Sequence, residues 1–325
     1  MKTLYKISRP FLFALPPEVA HSFSLKMLKI WANFSLVEYK KPVEVMGLQF
    51  PNKIGLAAGF DKNGDYIDAL ESLGFGCIEI GALTPKPQQG NDKPRLFRYK
   101  KEQAIINRMG FNNKGILYAI KKLKSSSFSG IIGINIGKNK NTPNENAIDD
   151  YLYCLQVSYQ HCDYISINLS SPNTPNLRDL LKPANLQKLL TRLKQEQIKI
   201  FNQTKKWTPL VVKISPDMDD TQLITVAKII RGSKMDGIIA TNTTVQHSYQ
   251  QTGGLSGKPL NETTTKIIKK LADLYQGDLP IIASGGIMDK KSADDKLKAG
   301  ASLVQIFTGL IYRGPVLIKN IFDIC

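Results

Sequence analysis

Histidine and cysteine are scarce in this chain of 325 residues, three of the first and four of the second. His21, His161 and His247 stand far apart without carboxylate companions at metal spacing, so no metal site is expected. Cys77, Cys154, Cys162 and Cys325 lack both the density of a disulfide framework and the spacing of a zinc site, which suits a reducing compartment. No apolar run approaches the length of a membrane span. The early cations Lys2, Lys6 and Arg9 are not followed by an uninterrupted apolar stretch, so no signal peptide is expected. Low-complexity tracts and internal repeats are missing too. What remains is a globular composition, 42% hydrophobic, long enough for one large core or two medium ones.

Acidic residues are few as well: 27, against 44 Lys and Arg, for a net charge of +17. Such an excess draws nucleic acid, membrane headgroups or a phosphorylated ligand, or simply decorates a solvated lysine-rich surface. Runs such as Ile120-Lys121-Lys122-Leu123-Lys124 read as helix faces. No aromatic-interleaved basic patch and no nucleic-acid motif accompanies them, so nucleic acid is not expected as a partner.

A repeating unit begins near residue 53: a β-rich apolar run, a polar loop, then a helical pattern. The runs are Lys53–Gly59, Gly76–Leu83, Gly130–Gly137, Tyr164–Leu169, Pro209–Ile214, Gly237–Asn242, Pro280–Gly285 and Ser302–Thr308. Nearly all read as apolar on both alternations, as parallel strands buried on both faces do. Helical periodicity lies between most of them, for example over Ala184–Phe201 and Thr221–Arg231. This alternation predicts a (β/α)₈ TIM barrel over residues 42–325. A doubly wound sheet would need a glycine-rich fingerprint after the first strand, and none is there.

Residues 1–41 follow another pattern. Leu4, Ile7, Phe11 and Leu15 share one helical stripe, Pro16-Pro17 breaks it, and Val19, Phe23, Met27, Ile30 and Phe34 share a second. Seven Lys and Arg stand against two Glu in this stretch. The pattern predicts a short amphipathic two-helix extension that either docks on a membrane surface or caps the barrel, with Tyr39–Gly47 as the linker.

Polar residues and glycines collect where the runs end: Gly59-Phe60-Asp61-Lys62, Asn135, Asn168–Ser171, Lys213, Thr241-Asn242-Thr243, Gly285-Gly286 and Thr308-Gly309. In a barrel these points converge on one face, where catalysis takes place. Glycine loops there let the backbone approach a phosphate, and Gly254–Gly257 reads as another such loop after the sixth strand. A lysine at a strand end needs an anion beside it; a flavin would supply one for Lys62 or Lys213, while a Schiff base is the other use of such a lysine. Asparagines at 107, 135, 168, 173 and 242 suit a planar substrate rich in amide-like groups. With no His near these loops, a general base falls to Ser, Lys or Cys. The stretch "INLSSPNTPNLRDL" offers both Ser170 and Ser171, on a loop stiffened by Pro172 and Pro175.

Long stretches resemble class 2 dihydroorotate dehydrogenases across essentially the whole chain. They are Ala57–Lys62, Asn91–Arg98, Asn107–Asn113, Gly133–Asn139, Asn168–Arg178, Ala240–Thr244 and Gln251–Gly257. The resemblance implies an FMN-containing barrel that oxidises (S)-dihydroorotate to orotate in pyrimidine synthesis and passes the electrons to a membrane quinone. It selects Ser171 as the base, with Thr174 and Phe111 on the proton's route. It assigns Lys62, Asn107, Arg108, Met109, Gly110, Phe111, Asn168, Asn173, Asn242 and Thr243 to the substrate. To the flavin it assigns Ala58, Gly59, Phe60, Asp61, Lys62, Ala82, Asn135, Asn168, Lys213, Thr241, Gly257, Gly286, Phe307 and Thr308. His21 and Arg98 match positions lining a quinone tunnel.

Two positions depart from the pattern: Phe307 where Tyr is usual, and Ala82 where Thr is common. Serine at 171, where class 1 relatives carry Cys, and the helical extension argue against a class 1 enzyme using fumarate or NAD. A basic membrane-surface module that is not an enzyme would leave the strand-end residues idle. A monomer is expected, associated peripherally with a membrane, and the lack of a transit peptide favours the cytoplasmic face of a bacterial inner membrane.

Overall fold

A computed structural model describes residues 2–32 and 37–324. Phe34 and Cys325 lie outside the described residues, as does the side chain of Leu4. All eight expected runs form strands: β1 (Ile54–Leu56), β2 (Cys77–Leu83), β3 (Ile131–Ile136), β4 (Tyr164–Asn168), β5 (Leu210–Ile214), β6 (Gly237–Ala240), β7 (Ile281–Ser284) and β8 (Leu303–Ile306). They close into a parallel barrel in chain order, sealed where Val304 pairs with Ile54 and Ile306 with Leu56. Helices such as Pro183–Thr204 and Asp220–Gly232 cover the outside. The second starts at a capping box, in which Asp219 and Gln222 each satisfy the other's backbone N–H.

The strands are not uniformly apolar, and here the sequence expectation needs correcting. Outward positions such as Ile78, Ile80, Ile134, Ile165 and Ile167 pack under the helices. Inward positions divide into two layers, because successive side chains alternate across the barrel wall. The lower layer is apolar: Cys77, Tyr164, Val211, Ile239, Ile282 and Leu303. The upper layer is polar and buried: Glu79, Asn135, Ser166, Lys213, Thr241, Ser284 and Gln305. Gly133 leaves room for Tyr164, whose ring a Cβ there would meet at 2.2 Å.

The linker and one loop also turn out differently. Val43–Val45 pairs with Leu48–Phe50 as an antiparallel hairpin. Its turn residues Met46 and Gly47 both have positive φ, as a two-residue hairpin turn requires. Val45 and Phe50 join the lower layer and plug the barrel floor. Gly254–Gly257 is a strand rather than a loop: it pairs with Ala104–Asn107, which pairs with Leu96–Tyr99, in a three-stranded antiparallel sheet above the barrel mouth.

Helices α1 (Lys2–Ala14) and α2 (Pro17–Ala32) form the extension. Pro17 sits at the first position of α2, where its missing N–H costs no helical bond. Tyr5 donates its hydroxyl to Ile311 O, and Arg9 donates to Tyr312 O at 2.8 Å. Gly314 is needed under Tyr5, whose ring a Cβ would meet at 2.2 Å. Glu18 and Arg95 form a two-pronged ion pair at 3.0 and 3.1 Å that ties α2 to the loop before the three-stranded sheet.

Candidate active site

A cavity of about 770 Å³ runs from between α1 and α2 down to the upper ends of the barrel strands. Every residue assigned above to substrate, flavin or quinone lines it except Arg108; of the base and its proton route, Ser171 and Phe111 line it and Thr174 does not. Thr174 is buried behind the lining, and its hydroxyl has no hydrogen-bond partner. Arg108 faces the outside: its guanidinium lies 5.0 Å from the Phe97 ring centre and donates to Thr252 Oγ1 and Pro94 O. It borders a second, outer cavity of about 560 Å³ beyond Asn173.

At the deep end the polar layer forms one hydrogen-bonded network. Glu79 accepts from Asn135 Nδ2 at 2.9 Å, Tyr164 Oη at 2.8 Å and Gln305 Nε2 at 2.7 Å. Asn135 also donates to Ser166 Oγ at 2.9 Å and accepts from Asn168 Nδ2 at 3.0 Å. Asn168 Oδ1 in turn accepts from Asn242 Nδ2 at 3.2 Å. Asn amides in such a chain have a fixed orientation, because each donor and acceptor is already assigned. Lys213 is 6% exposed, and burial lowers its pKa while the Glu79 charge opposes the shift. Its ammonium makes no hydrogen bond among the described residues.

The loop leaving β4 separates the two serines. Ser170 turns inward, donating to Lys213 O at 2.8 Å and accepting from Asn242 Nδ2 at 3.1 Å. Ser171 lines the cavity, and its Oγ accepts only the Asn173 N–H, at 3.3 Å. Asn173 donates to Asn107 Oδ1 at 3.1 Å, and Asn107 donates to Gly254 O at 3.3 Å. Arg178 clamps the loop from behind, donating to Ser170 O, Thr243 O and, at 2.8 Å, Asp217 Oδ2. Loop rigidity therefore comes from this arginine and the Asn pairs as well as from Pro172 and Pro175.

The opposite rim carries the Gly59–Lys62 turn. Asp61 does not present its carboxylate to the cavity: it accepts the N–H groups of Asn63, Gly64, Asp65 and Tyr66 and so shapes the turn. Lys62 donates to Gly59 O at 3.0 Å, and burial pushes its pKa down to about 8. Phe307 packs edge-on against Phe60 at 5.4 Å, and Phe60 against His21 at 4.9 Å. His21 Nε2 lies 2.9 Å from Phe60 O; burial first, and Lys62 second, push its pKa down to about 4. Arg98 donates to Leu12 O at 3.0 Å and to Leu15 O, with its guanidinium 4.7 Å from the Phe13 ring centre. It thereby caps the C-terminus of α1 at the cavity mouth.

Glycines shape the far wall. A Cβ at Gly257 would meet Gln103 O at 2.3 Å, and one at Gly286 would meet Asn261 Cα at 2.2 Å. Ser256 and Thr308 hydroxyls pair at 2.8 Å between them. Residues missed by sequence reasoning are mostly supporting ones: Glu79, Tyr164, Ser166, Gln305, Arg178 and Asp217. The strand alternation was the signal available for the first four.

The outer surface of the helix pair is apolar. Ile7, Phe11, Leu15, Val19, Phe23, Met27 and Ile30 are all exposed, Phe11 at 73%. The described members of both expected stripes are therefore left uncovered rather than packed as a cap on the barrel, and Phe23 and Met27 also border the cavity. No helix among the described residues is long and apolar enough to cross a membrane.

The family described as dihydroorotate dehydrogenase matches residues 41–324. The chain is 49% identical to a dihydroorotate dehydrogenase (quinone) of Idiomarina loihiensis, over 98% of this chain and 99% of that one. It is 51% identical to the protein of the same name from Neisseria meningitidis serogroup A, over 98% of each. A crystal structure of DHODH in complex with ferulenol, from Eimeria tenella, superposes with a TM-score of 0.87 at 36% identity, covering 94% of this chain and 90% of that one. The chain therefore belongs to the dihydroorotate dehydrogenase family, in its quinone-dependent class 2 branch.

Proposed function

We propose that this protein oxidises (S)-dihydroorotate to orotate in pyrimidine synthesis, using FMN and a membrane quinone, as a monomer held peripherally on the cytoplasmic face of a bacterial inner membrane. The observation that carries the reading is the continuity of one cavity from the Asn-lined barrel mouth, past Ser171, to the apolar gap between α1 and α2. Residues 1–41 serve the quinone and the membrane; residues 42–325 form the catalytic barrel.

The residues present suit a flavin phosphate ester. Gly257 and Gly286 line the cavity with backbone alone, since a Cβ would meet Gln103 O or Asn261 Cα, and Lys213, itself 6% exposed, turns to the cavity an ammonium with no acceptor among the described residues. Lys213 would stand beside the flavin's pyrimidine end, and the backbone around Gly286 and Thr308 would hold its phosphate. Bound there, FMN supplies a hydride acceptor and a relay of electrons to quinone.

Ser171 would take the proton from C5 of dihydroorotate. A serine is a weak base in water, and its burial together with the unpartnered Thr174 hydroxyl offers a route for the proton. Asn107, Asn168, Asn173 and Asn242 would hold the pyrimidine ring, their amides fixed by the network described above. Such fixed geometry matters because a small misplacement is costly in rate. Phe111, at positive φ, packs its ring over Gly137, where a Cβ would meet it at 2.7 Å, and lines the same cavity as Ser171.

Purification followed by anaerobic mixing tests the reading. The protein should be yellow, lose its flavin absorption band on addition of (S)-dihydroorotate, and regain it with a quinone. A colourless preparation, or a band indifferent to dihydroorotate, would overturn it.

A further inference from the structure

Lys296, on the helix Lys290–Lys298, is 0% exposed, and no step above uses it. Its ammonium donates to Asn261 O at 2.6 Å, to Asn261 Oδ1 at 2.8 Å and to Thr265 Oγ1. All three acceptors are neutral. The adjacent carboxylate, Asp295, is engaged at the surface by Lys291 at 2.9 Å. An ammonium buried with its hydrogen bonds made but no counter-charge is costly to keep. Burial accordingly lowers its pKa to about 7.

Its location supplies a use for that charge. Asn261 opens the helix Asn261–Tyr275, and its Cα is the atom that blocks a Cβ at Gly286. One turn further on, Thr264 Oγ1 lies 2.7 Å from where a Cβ of Gly285 would stand. The double glycine after β7 thus rests directly on the first turn of this helix. Lys296 grips the same turn through three hydrogen bonds.

We propose that Lys296 is a positioning residue and buried counter-charge for the flavin's phosphate, acting through Asn261 on the Gly285-Gly286 cradle. This rests on the flavin reading above. A lysine that merely clamped two helices would act the same whether or not a phosphate were present, and that difference gives the test.

Holoenzyme is prepared as wild type, K296M, K296Q and K296R, each loaded with FMN or with riboflavin, which differs only by lacking the phosphate. Flavin release on dilution is followed by the recovery of flavin fluorescence. The two neutral variants should release FMN roughly tenfold faster than wild type, as expected for losing one partly screened charge interaction, and riboflavin at about the wild-type rate. K296R, which keeps the charge, should hold FMN much as wild type does. K296Q retains a donor for Asn261, so it reads the charge even if K296M does not fold. Equal acceleration of FMN and riboflavin release would reduce Lys296 to a clamp, and unchanged FMN release would remove it from the site altogether. A wild type that carries no flavin would overturn the flavin reading itself, before any Lys296 variant is measured.

Discussion

The two ends of the cavity are built by opposite means. At the barrel end, side chains sit on strands whose alternation leaves them a single face, and the carboxylate and amides there are tied in a chain: Glu79 to Asn135, Asn135 to Asn168, Asn168 to Asn242. At the helical end the walls are apolar, and position depends on a few separated ties: Glu18 to Arg95, Tyr5 to Ile311, Arg98 to the end of α1. A network distributes the loss of one bond over many partners, whereas separated ties concentrate it. The barrel end is suited to proton and hydride chemistry that needs fixed geometry, and the helical end to a bulky apolar molecule arriving from a membrane.

The sharpest division between the ends should come from Ser171→Ala. Stopped-flow reduction of the flavin by dihydroorotate should slow by about 10²–10⁴, the range for losing a general base, while dihydroorotate binding changes little. Reoxidation by quinone should be untouched. A normal reduction rate would take the base away from Ser171.

Next comes a charge placed on the exposed helical face. The double variant Phe11→Glu, Val19→Glu alters two side chains that are exposed and stand outside the cavity lining. Its partition onto vesicles should fall at least about tenfold, since each exposed apolar group lost to a membrane counts for a kcal/mol or more. Turnover with a water-soluble dye should persist. Unchanged vesicle binding would mean that this face is not the docking surface.

How far each end was legible in the sequence follows the same division. Strand ends could be read because glycines and Asn stand at fixed places after apolar runs, and all eight runs became strands. The inward polar layer was passed over because Glu79, Ser166 and Gln305 each sit singly among Ile, Val and Leu; the mean hydropathy of such a run hides its phase. Gly254–Gly257 read as a loop because glycine argues against a strand, yet Gly254 lies where a Cβ would meet Thr243 Oγ1 at 2.0 Å, so close packing fixes the residue. The resemblance placed Arg108 with the substrate by its neighbours in sequence, but the backbone turns its side chain out toward Phe97. Arg178 and Asp217, 39 residues apart, meet only in the fold. The apolar stripes of the helix pair were legible from period alone; which way they faced was not.

Acid should probe the helical end through His21. The His21 pKa is lowered from 6.5 to about 4, chiefly by burial. Between those values the unfolded chain binds a proton that the folded chain refuses, so stability is full above about 6.5 and is lost as pH falls toward 4. By about pH 5 the loss should be on the order of 1–2 kcal/mol, read as a lowered Tm. His21→Asn should flatten that part of the profile. An unchanged slope would assign the acid sensitivity to other groups.

The smallest effect tests whether the two ends are separate at all. Phe307 bridges them: it follows β8 at the barrel mouth, and its ring meets Phe60, which meets His21 on α2. Phe307→Tyr keeps that edge-on contact and adds one hydroxyl to the cavity lining. A single neutral hydrogen bond is worth about 1 kcal/mol, so the KM for quinone should shift by roughly fivefold. Flavin reduction by dihydroorotate should stay at the wild-type rate, because the ring packs on Phe60 while Ser171 is held by Asn173 and Asn107. Equal shifts in both half-reactions would mean that the aromatic bridge transmits between the ends, and the cavity would then be one site rather than two joined ones.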